Sequence, residues 1–374
     1  MNNYITTFDH SLLFMVSRFI IYSRIKDNDF AIIEQGGTIM TKKRGILERL
    51  EKDIVLGAEG YLFELERRGY VKAGPFVPEV VLDYPDAVRE LHREFLRAGS
   101  EVMVAFTYYG YREKLKKIGR ENQLEDLNRQ AINIAKEVAE EGDALVAGNV
   151  SNTWEYDEKR PEESEKVVCP LFEEQVGWAQ EEGVDFIIGE TFSHLGEALI
   201  ALKVIKEARL PALITFIPME DKTYDGHTWE YACKFLEDKG ADIVGVNCGR
   251  GPQTVYGFLE KIRKNVKGYT AAQPVPYRTT EKQPTFQKLG EPGKECAFPV
   301  ALDPYVLTRF EMADFALRAR DMGINYIGIC CGGAPHHVRS MAEALGRKVP
   351  ASKYSPDMSY HPIFGEKKVF CKEE

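Results

Sequence analysis

The sequence predicts an α/β fold, a single (β/α)8 TIM barrel, and three observations predict it. Eight short apolar runs recur along the chain. Longer amphipathic segments separate them. Before several runs stands a glycine, two connecting residues and then the run itself, in "AGSEV", "EGDAL", "EGVDF", "KGADI" and "MGINY". A glycine that ends a helix just before a strand is the punctuation of repeated βα units.

The runs are "IVLGAEGY" (54–61), "VMVAFTYY" (102–109), "ALVAGNVS" (144–151), "FIIGETF" (186–192), "ALITFIP" (212–218), "IVGVNC" (243–248), "YTAAQPV" (269–275) and "YIGICC" (326–331). They are mostly apolar rather than alternating, as expected of strands buried on both faces. Between the first two runs, Val88, Leu91, Phe95 and Leu96 mark one face of a helix that Gly99 stops. "HHVRSMAEALGRK" supplies the helix after the eighth run. The competing fold is a doubly wound open sheet, but no G-x-G-x-x-G turn follows the first run.

The barrel is placed at residues 43–348. Residues 1–42 read as an N-terminal extension outside the fold, with an amphipathic N-terminal helix as the other reading. Their apolar stretch, 11–22, is split by Arg18 and is too short for a bilayer, which needs about 20 residues. Asp9, Asp27 and Asp29 argue against a presequence. Residues 349–374, rich in Pro, Ser, Tyr and Lys without period, read as a short C-terminal arm.

Composition narrows the function. The formal net charge is −9 with basic residues scattered, which speaks against a nucleic-acid partner. No membrane partner is expected. Seven cysteines, an odd number without a secretory pattern, speak against a disulfide framework and for a reducing, cytoplasmic setting.

In a barrel, chemistry collects where strands end. The runs end on Glu59-Gly60-Tyr61, Thr107-Tyr108-Tyr109, Asn149-Val150-Ser151, Glu190-Thr191, Asn247-Cys248 and Cys330-Cys331. Runs six and eight are near neighbours in a closed barrel. Cys248, Cys330 and Cys331 would therefore converge at one rim and offer three sulfur ligands, with zinc the natural cation. Adjacent cysteines can both ligate only if the strand has ended, and Gly332-Gly333 permits that bend. The competing reading is that these thiols simply pack. Three sulfurs make zinc a poor Lewis acid toward carbonyls but still favour an incoming thiol as thiolate, which suits alkyl transfer to sulfur. No role is assigned to Cys169, Cys233, Cys296 or Cys371.

"KKRGILERL", "ELERRGYVKAGPFVPE", "LHREFLRAGSEV", "EGDALVAG", "GVNC" and "YIGICCGGAPHHVRSMAEAL" together resemble the betaine–homocysteine and homocysteine S-methyltransferase family over residues 42–348. The resemblance implies a (β/α)8 barrel with zinc on Cys248, Cys330 and Cys331, and methyl transfer to homocysteine in methionine biosynthesis. It implies that Glu190 holds the substrate amino group, that Tyr109 lies beside the zinc, and that Phe76 faces the donor where the betaine enzyme has Trp. Asn247 precedes the first ligand as in the family. Tyr108 and Gly60 fall in the substrate region, as does Thr191, which replaces a family tyrosine. Glu59 stands near the family's aspartate, moved by one residue. Each has a plainer reading: Glu190 as a helix cap, the tyrosines as strand aromatics, Phe76 as core. His336-His337 looks like a ligand motif but opens the last helix, and reads as structural or solvent-facing. The donor is expected to be a quaternary ammonium compound such as betaine. A sulfonium donor (S-methylmethionine or dimethylsulfoniopropionate), a zinc lyase or hydrolase, and a non-catalytic thiol- or zinc-binding barrel stay open.

Overall fold

The computed structural model of the chain describes residues 22–24, 30–33, 39–41, 43–58 and 60–362. The chain divides into two compact units, Met1–Arg44 and Gly45–Glu374. In the first, strands Tyr22–Arg24, Phe30–Ile33 and Ile39–Thr41 pair antiparallel, with Ser23 opposite Ala31 and Ile32 opposite Met40. The sequence allowed a helix there, whereas the described backbone is strand. Residues 11–21 of the apolar stretch lie outside the described residues.

The second unit holds an eight-stranded parallel sheet. Its strands are β1 (Val55–Leu56), β2 (Val102–Val104), β3 (Leu145–Ser151), β4 (Phe186–Phe192), β5 (Ala212–Phe216), β6 (Ile243–Asn247), β7 (Tyr269–Gln273) and β8 (Tyr326–Ile327). Pairing runs in chain order from β2 to β8, and β8 returns to β1. Glu101 joins the remaining gap between β1 and β2. Its N–H donates to Leu56 O at 2.8 Å, and its carboxylate accepts from Leu56 N–H at 2.9 Å. This is a nearly closed (β/α)8 barrel.

One principal helix follows each strand: α1 (Pro85–Ala98), α2 (Leu124–Glu140), α3 (Pro161–Glu181), α4 (Leu195–Glu207), α5 (Trp229–Asp238), α6 (Pro252–Asn265), α7 (Arg309–Asp321) and α8 (Pro335–Ala344). In α1, Val88, Leu91, Phe95 and Ala98 are buried on one face, following the helical period. The helix ends at Gly99 with φ 107°, where an added Cβ would stand 2.5 Å from Val349 Cγ1. Only glycine satisfies both constraints.

β3 and β4 are buried along their whole length, which explains runs without polar alternation. Alternation still sets direction. A Cβ on Gly148 would meet Ala179 of α3 at 3.0 Å, so Gly148 faces the helices and Asn149 faces the barrel interior. In the registers, Ser151 lies beside Glu190, and Gln273 lies beside Asn247. Polar side chains from several strands thereby share one layer at the strand C-termini. Among the described residues no helix is long and apolar enough to cross a membrane.

Candidate active site

The end of β6 builds the first third of the site. Cys248 takes a left-handed φ of 56° and Gly249 one of 63°, so the chain turns sharply off the strand. Cys248 N–H donates to Gln273 O at 2.9 Å, which ties the turn to β7. The segment after β8 builds the rest. Cys330 N–H donates to Pro274 O at 3.0 Å, and Gly333 N–H donates back to Cys330 O at 2.8 Å. Gly332, φ 82°, makes that bend, and a Cβ there would lie 2.1 Å from the Tyr277 hydroxyl. The strand has ended before the cysteine pair, so both side chains reach the same side.

The three Sγ atoms lie within 4.8 Å of one another, and those of Cys330 and Cys331 are 4.0 Å apart. A tetrahedral cation with sulfur ligands at about 2.3 Å holds its sulfurs about 3.8 Å apart. The donor set fits a soft or borderline cation in both spacing and chemistry. The cluster shares its protons unequally. Hydrogen bonds from Cys330 and Cys331 push the Cys248 thiol down to about 5, while the thiols of Cys330 and Cys331 are pushed well up beside it.

Glu190, at the end of β4, is 4% exposed. A carboxylate so placed needs donors. Asn149 Nδ2 donates to its Oε1 at 2.6 Å, and Asn247 Nδ2 donates to its Oε2 at 2.7 Å. Asn247 is used completely. Its Oδ1 accepts from Thr191 N–H and Thr215 Oγ1–H, both at 2.9 Å. Its Nδ2 also lies 3.7 Å from Cys330 Sγ, which links the carboxylate to the sulfur cluster.

Two cavities meet over this layer. The smaller, about 40 Å³, is lined by Gly60, Tyr108, Asn149, Glu190, Cys330 and Cys331 among others. The larger, about 210 Å³, runs from Cys248 and Cys331 out past Phe76, Tyr109 and Trp154. Tyr108, Thr191 and Cys331 line both, so the sulfur cluster sits at the junction. Among the described residues, eight aromatic side chains line the larger cavity, and no Asp, Glu, Lys or Arg does. Such walls recognise a cation through ring faces rather than through an ion pair.

The aromatic wall is held by strained backbone. Phe76, Tyr109, Trp154 and Thr191 all have left-handed φ, at 51°, 59°, 64° and 60°. Phe76 stacks on Phe63 with ring centroids 5.8 Å apart. The Tyr108 and Tyr109 rings are 4.3 Å apart, and Trp154 Nε1–H donates to the Tyr109 hydroxyl at 3.0 Å. Thr191 Oγ1 lies 3.3 Å from the Tyr108 hydroxyl. Burial pushes both phenols above their usual range, so both stay neutral near pH 7.

The structure thus brings together Gly60, Phe76, Tyr108, Tyr109, Glu190, Thr191, Asn247 and the three cysteines. Glu59 lies outside the described residues. Gly60 has φ 121°, and a Cβ there would approach Gly333 O to 2.8 Å, so its backbone packs directly against the cysteine turn. His337 is structural: Nδ1 accepts from Ala334 N–H at 3.2 Å and Nε2 bonds Leu307 O at 3.0 Å. Sequence reasoning missed Asn149 as a site residue, along with Trp154 and Phe63. Asn149 carried one usable signal, its place at the end of the third run. Trp154 carried only its place in the loop beyond that run.

A barrel whose strand ends gather three thiols, a buried carboxylate and an aromatic chamber defines a (β/α)8 enzyme with a three-cysteine cluster able to hold a metal ion. The family model described as Homocysteine S-methyltransferase matches residues 57–345. Over 315 residues the chain is 40% identical to betaine–homocysteine S-methyltransferase 1 of Xenopus tropicalis, covering 81% of this chain and 76% of that protein. Over 333 residues it is 38% identical to the S-methylmethionine–homocysteine S-methyltransferase of Pongo abelii, covering 87% and 85%. Its fold resembles the metallated form of the homocysteine methyltransferase MmuM from Escherichia coli, with TM-score 0.63, 19% identity, and coverage of 79% and 97%. The chain belongs to the homocysteine S-methyltransferase family and is a methyltransferase of that family.

Proposed function

We propose that this enzyme transfers a methyl group from a quaternary ammonium donor of the betaine type to the sulfur of homocysteine, giving methionine. The observation that carries the reading is the junction at Cys331, where the carboxylate cavity and the aromatic chamber meet over three sulfurs. Cys248, Cys330 and Cys331 would hold zinc. Bound there, zinc would stabilise the arriving thiol as thiolate at neutral pH.

The protein's own groups do the positioning. Glu190, clamped by two amides, accepts from the substrate ammonium group, and backbone amides near Gly60 face its carboxylate. Tyr109 is a neutral phenol beside the sulfurs, able to fill the fourth position until substrate arrives. Phe76, Tyr108 and Tyr109 surround the donor cation. Trp154 supplies the indole face that Phe76 does not. The walls exclude water and align the two reactants, which is the main source of rate in such a displacement. The thiol proton leaves to solvent on binding. The sulfur pair then forms a new C–S bond to the donor methyl, and the C–N⁺ bond breaks with its electrons returning to nitrogen.

The aromatic chamber would accept a sulfonium as readily, because ring faces respond to charge and shape rather than to the heteroatom. The two relatives, one named for betaine and one for S-methylmethionine, bracket the same choice. The test is methionine formation by zinc-loaded enzyme with homocysteine and each of betaine, S-methylmethionine and dimethylsulfoniopropionate. Turnover with betaine above the sulfonium donors supports the reading. Preference for a sulfonium replaces the donor, and binding of thiol without turnover to any donor overturns catalysis in favour of a binding protein.

A further inference from the structure

The clamp around Glu190 is asymmetric. Asn247 has every polar position occupied, whereas Asn149 Oδ1 is buried and finds no hydrogen-bond partner among the described residues. The orientation of the Asn149 amide is chemically fixed. Glu190 can only accept when ionised, so the NH2 group must face it across 2.6 Å, and the oxygen must turn the other way. Asn149 is 4% exposed, faces the barrel interior and lines the small cavity with Glu190, Cys330 and Cys331. An amide oxygen held like this lacks a donor, and leaving it unmet costs stability.

With the substrate ammonium at Glu190, the same group also faces the Asn149 oxygen beside it. An ammonium group has three donors and meets both acceptors at once. We infer that Asn149 is a specificity residue for the amino group of the thiol substrate: its Oδ1 accepts one ammonium N–H while its Nδ2 holds the carboxylate that accepts another. The site therefore takes α-amino thiols and discriminates against thiols without the amino group. The cause is the one that makes hydrogen-bonding sites selective, since the analogue leaves the buried Asn149 Oδ1 unpaired. This inference rests on the reading that the substrate ammonium lies at Glu190.

The test measures binding to the zinc-loaded enzyme by calorimetry. The ligands are homocysteine and 4-mercaptobutanoate, which keeps the thiol and carboxylate but lacks the amino group. Asn149→Ala should weaken homocysteine about 10- to 100-fold. It should leave 4-mercaptobutanoate within about twofold. Glu190→Ala should show the same selectivity loss, and adding Asn149→Ala to it should weaken homocysteine again. If Asn149→Ala weakens both ligands alike, or adds nothing in the Glu190→Ala background, Asn149 only supports Glu190 and the inference fails while the ammonium reading stands. If Glu190→Ala leaves the preference for homocysteine intact, the ammonium reading itself fails. Asn149→Ser, which shortens the side chain without emptying the position, carries the same comparison should Asn149→Ala not fold.

Discussion

The indole N–H of Trp154 donates to the hydroxyl of Tyr109 at 3.0 Å, across the mouth of the aromatic chamber. Trp154 is 60% exposed and sits on left-handed backbone, so this bond and its contact with the chamber are what place the ring. A cation against such a face gains about 0.5–2 kcal/mol. Trp154→Ala should raise KM for the methyl donor about 2- to 30-fold with KM for homocysteine unchanged. Trp154→Phe should recover part of the loss. Steady-state kinetics with each substrate varied in turn decide it.

Asn247 ties the carboxylate to the strand ends. Asn247→Ala strips one donor from Glu190 and leaves Thr191 N–H and Thr215 Oγ1–H without their acceptor. Unpaired buried groups cost about 1–3 kcal/mol each. The variant should unfold at lower urea concentration and bind homocysteine more weakly. Wild-type stability in a urea titration would show that the clamp is not structural.

Gly332 makes the turn that carries Cys331. At φ 82°, with a Cβ falling 2.1 Å from the Tyr277 hydroxyl, an alanine would be strained and would clash. Tyr277 cannot yield, being 1% exposed and stacked on Phe286 with rings 5.6 Å apart. Gly332→Ala should weaken metal binding at least tenfold in a competition with a colorimetric chelator. Unchanged metal affinity would show that the turn tolerates a side chain.

Glu197 in the first turn of α4 gives stability a pH dependence. Its carboxylate accepts from Thr153 N–H at 2.7 Å and Thr153 Oγ1–H at 2.6 Å, yet burial raises its pKa from 4.5 to about 7. The folded state then holds a proton that the unfolded state has lost. Stability from this group is full below about pH 4.5 and declines up to about pH 7, where it levels. The total is about 3 kcal/mol by the conversion of 1.36 kcal/mol per unit. Glu197→Gln keeps an acceptor for Thr153 and removes the charge. Its melting temperature should exceed that of wild type at pH 8 and match it near pH 4.5. Parallel wild-type and variant curves across this range would rule the carboxylate out as the source.

The barrel was legible because strands buried on both faces leave continuous apolar runs, and glycines such as Gly99 mark the helix ends between them. The sulfur cluster was legible because two such runs end on cysteine, and closure brings strand ends together. Asn149 was not legible as a ligand group. Its meaning comes from the fixed orientation of its amide against Glu190, which depends on the pairing of β3 with β4. Trp154 was hidden for another reason. The sequence points to Phe76, Tyr108 and Tyr109 for the aromatic wall, and the indole joins them from the loop after β3, on backbone whose left-handed turn no local pattern announces.

Metal content tests the account's central claim most directly. Purified enzyme, dialysed against a weak chelator and analysed by elemental spectrometry, should hold one zinc per chain, and Cys330→Ala, folded by circular dichroism, should hold almost none. Folded wild type without a stoichiometric divalent ion, or full zinc retention in Cys330→Ala, would contradict the three-sulfur site.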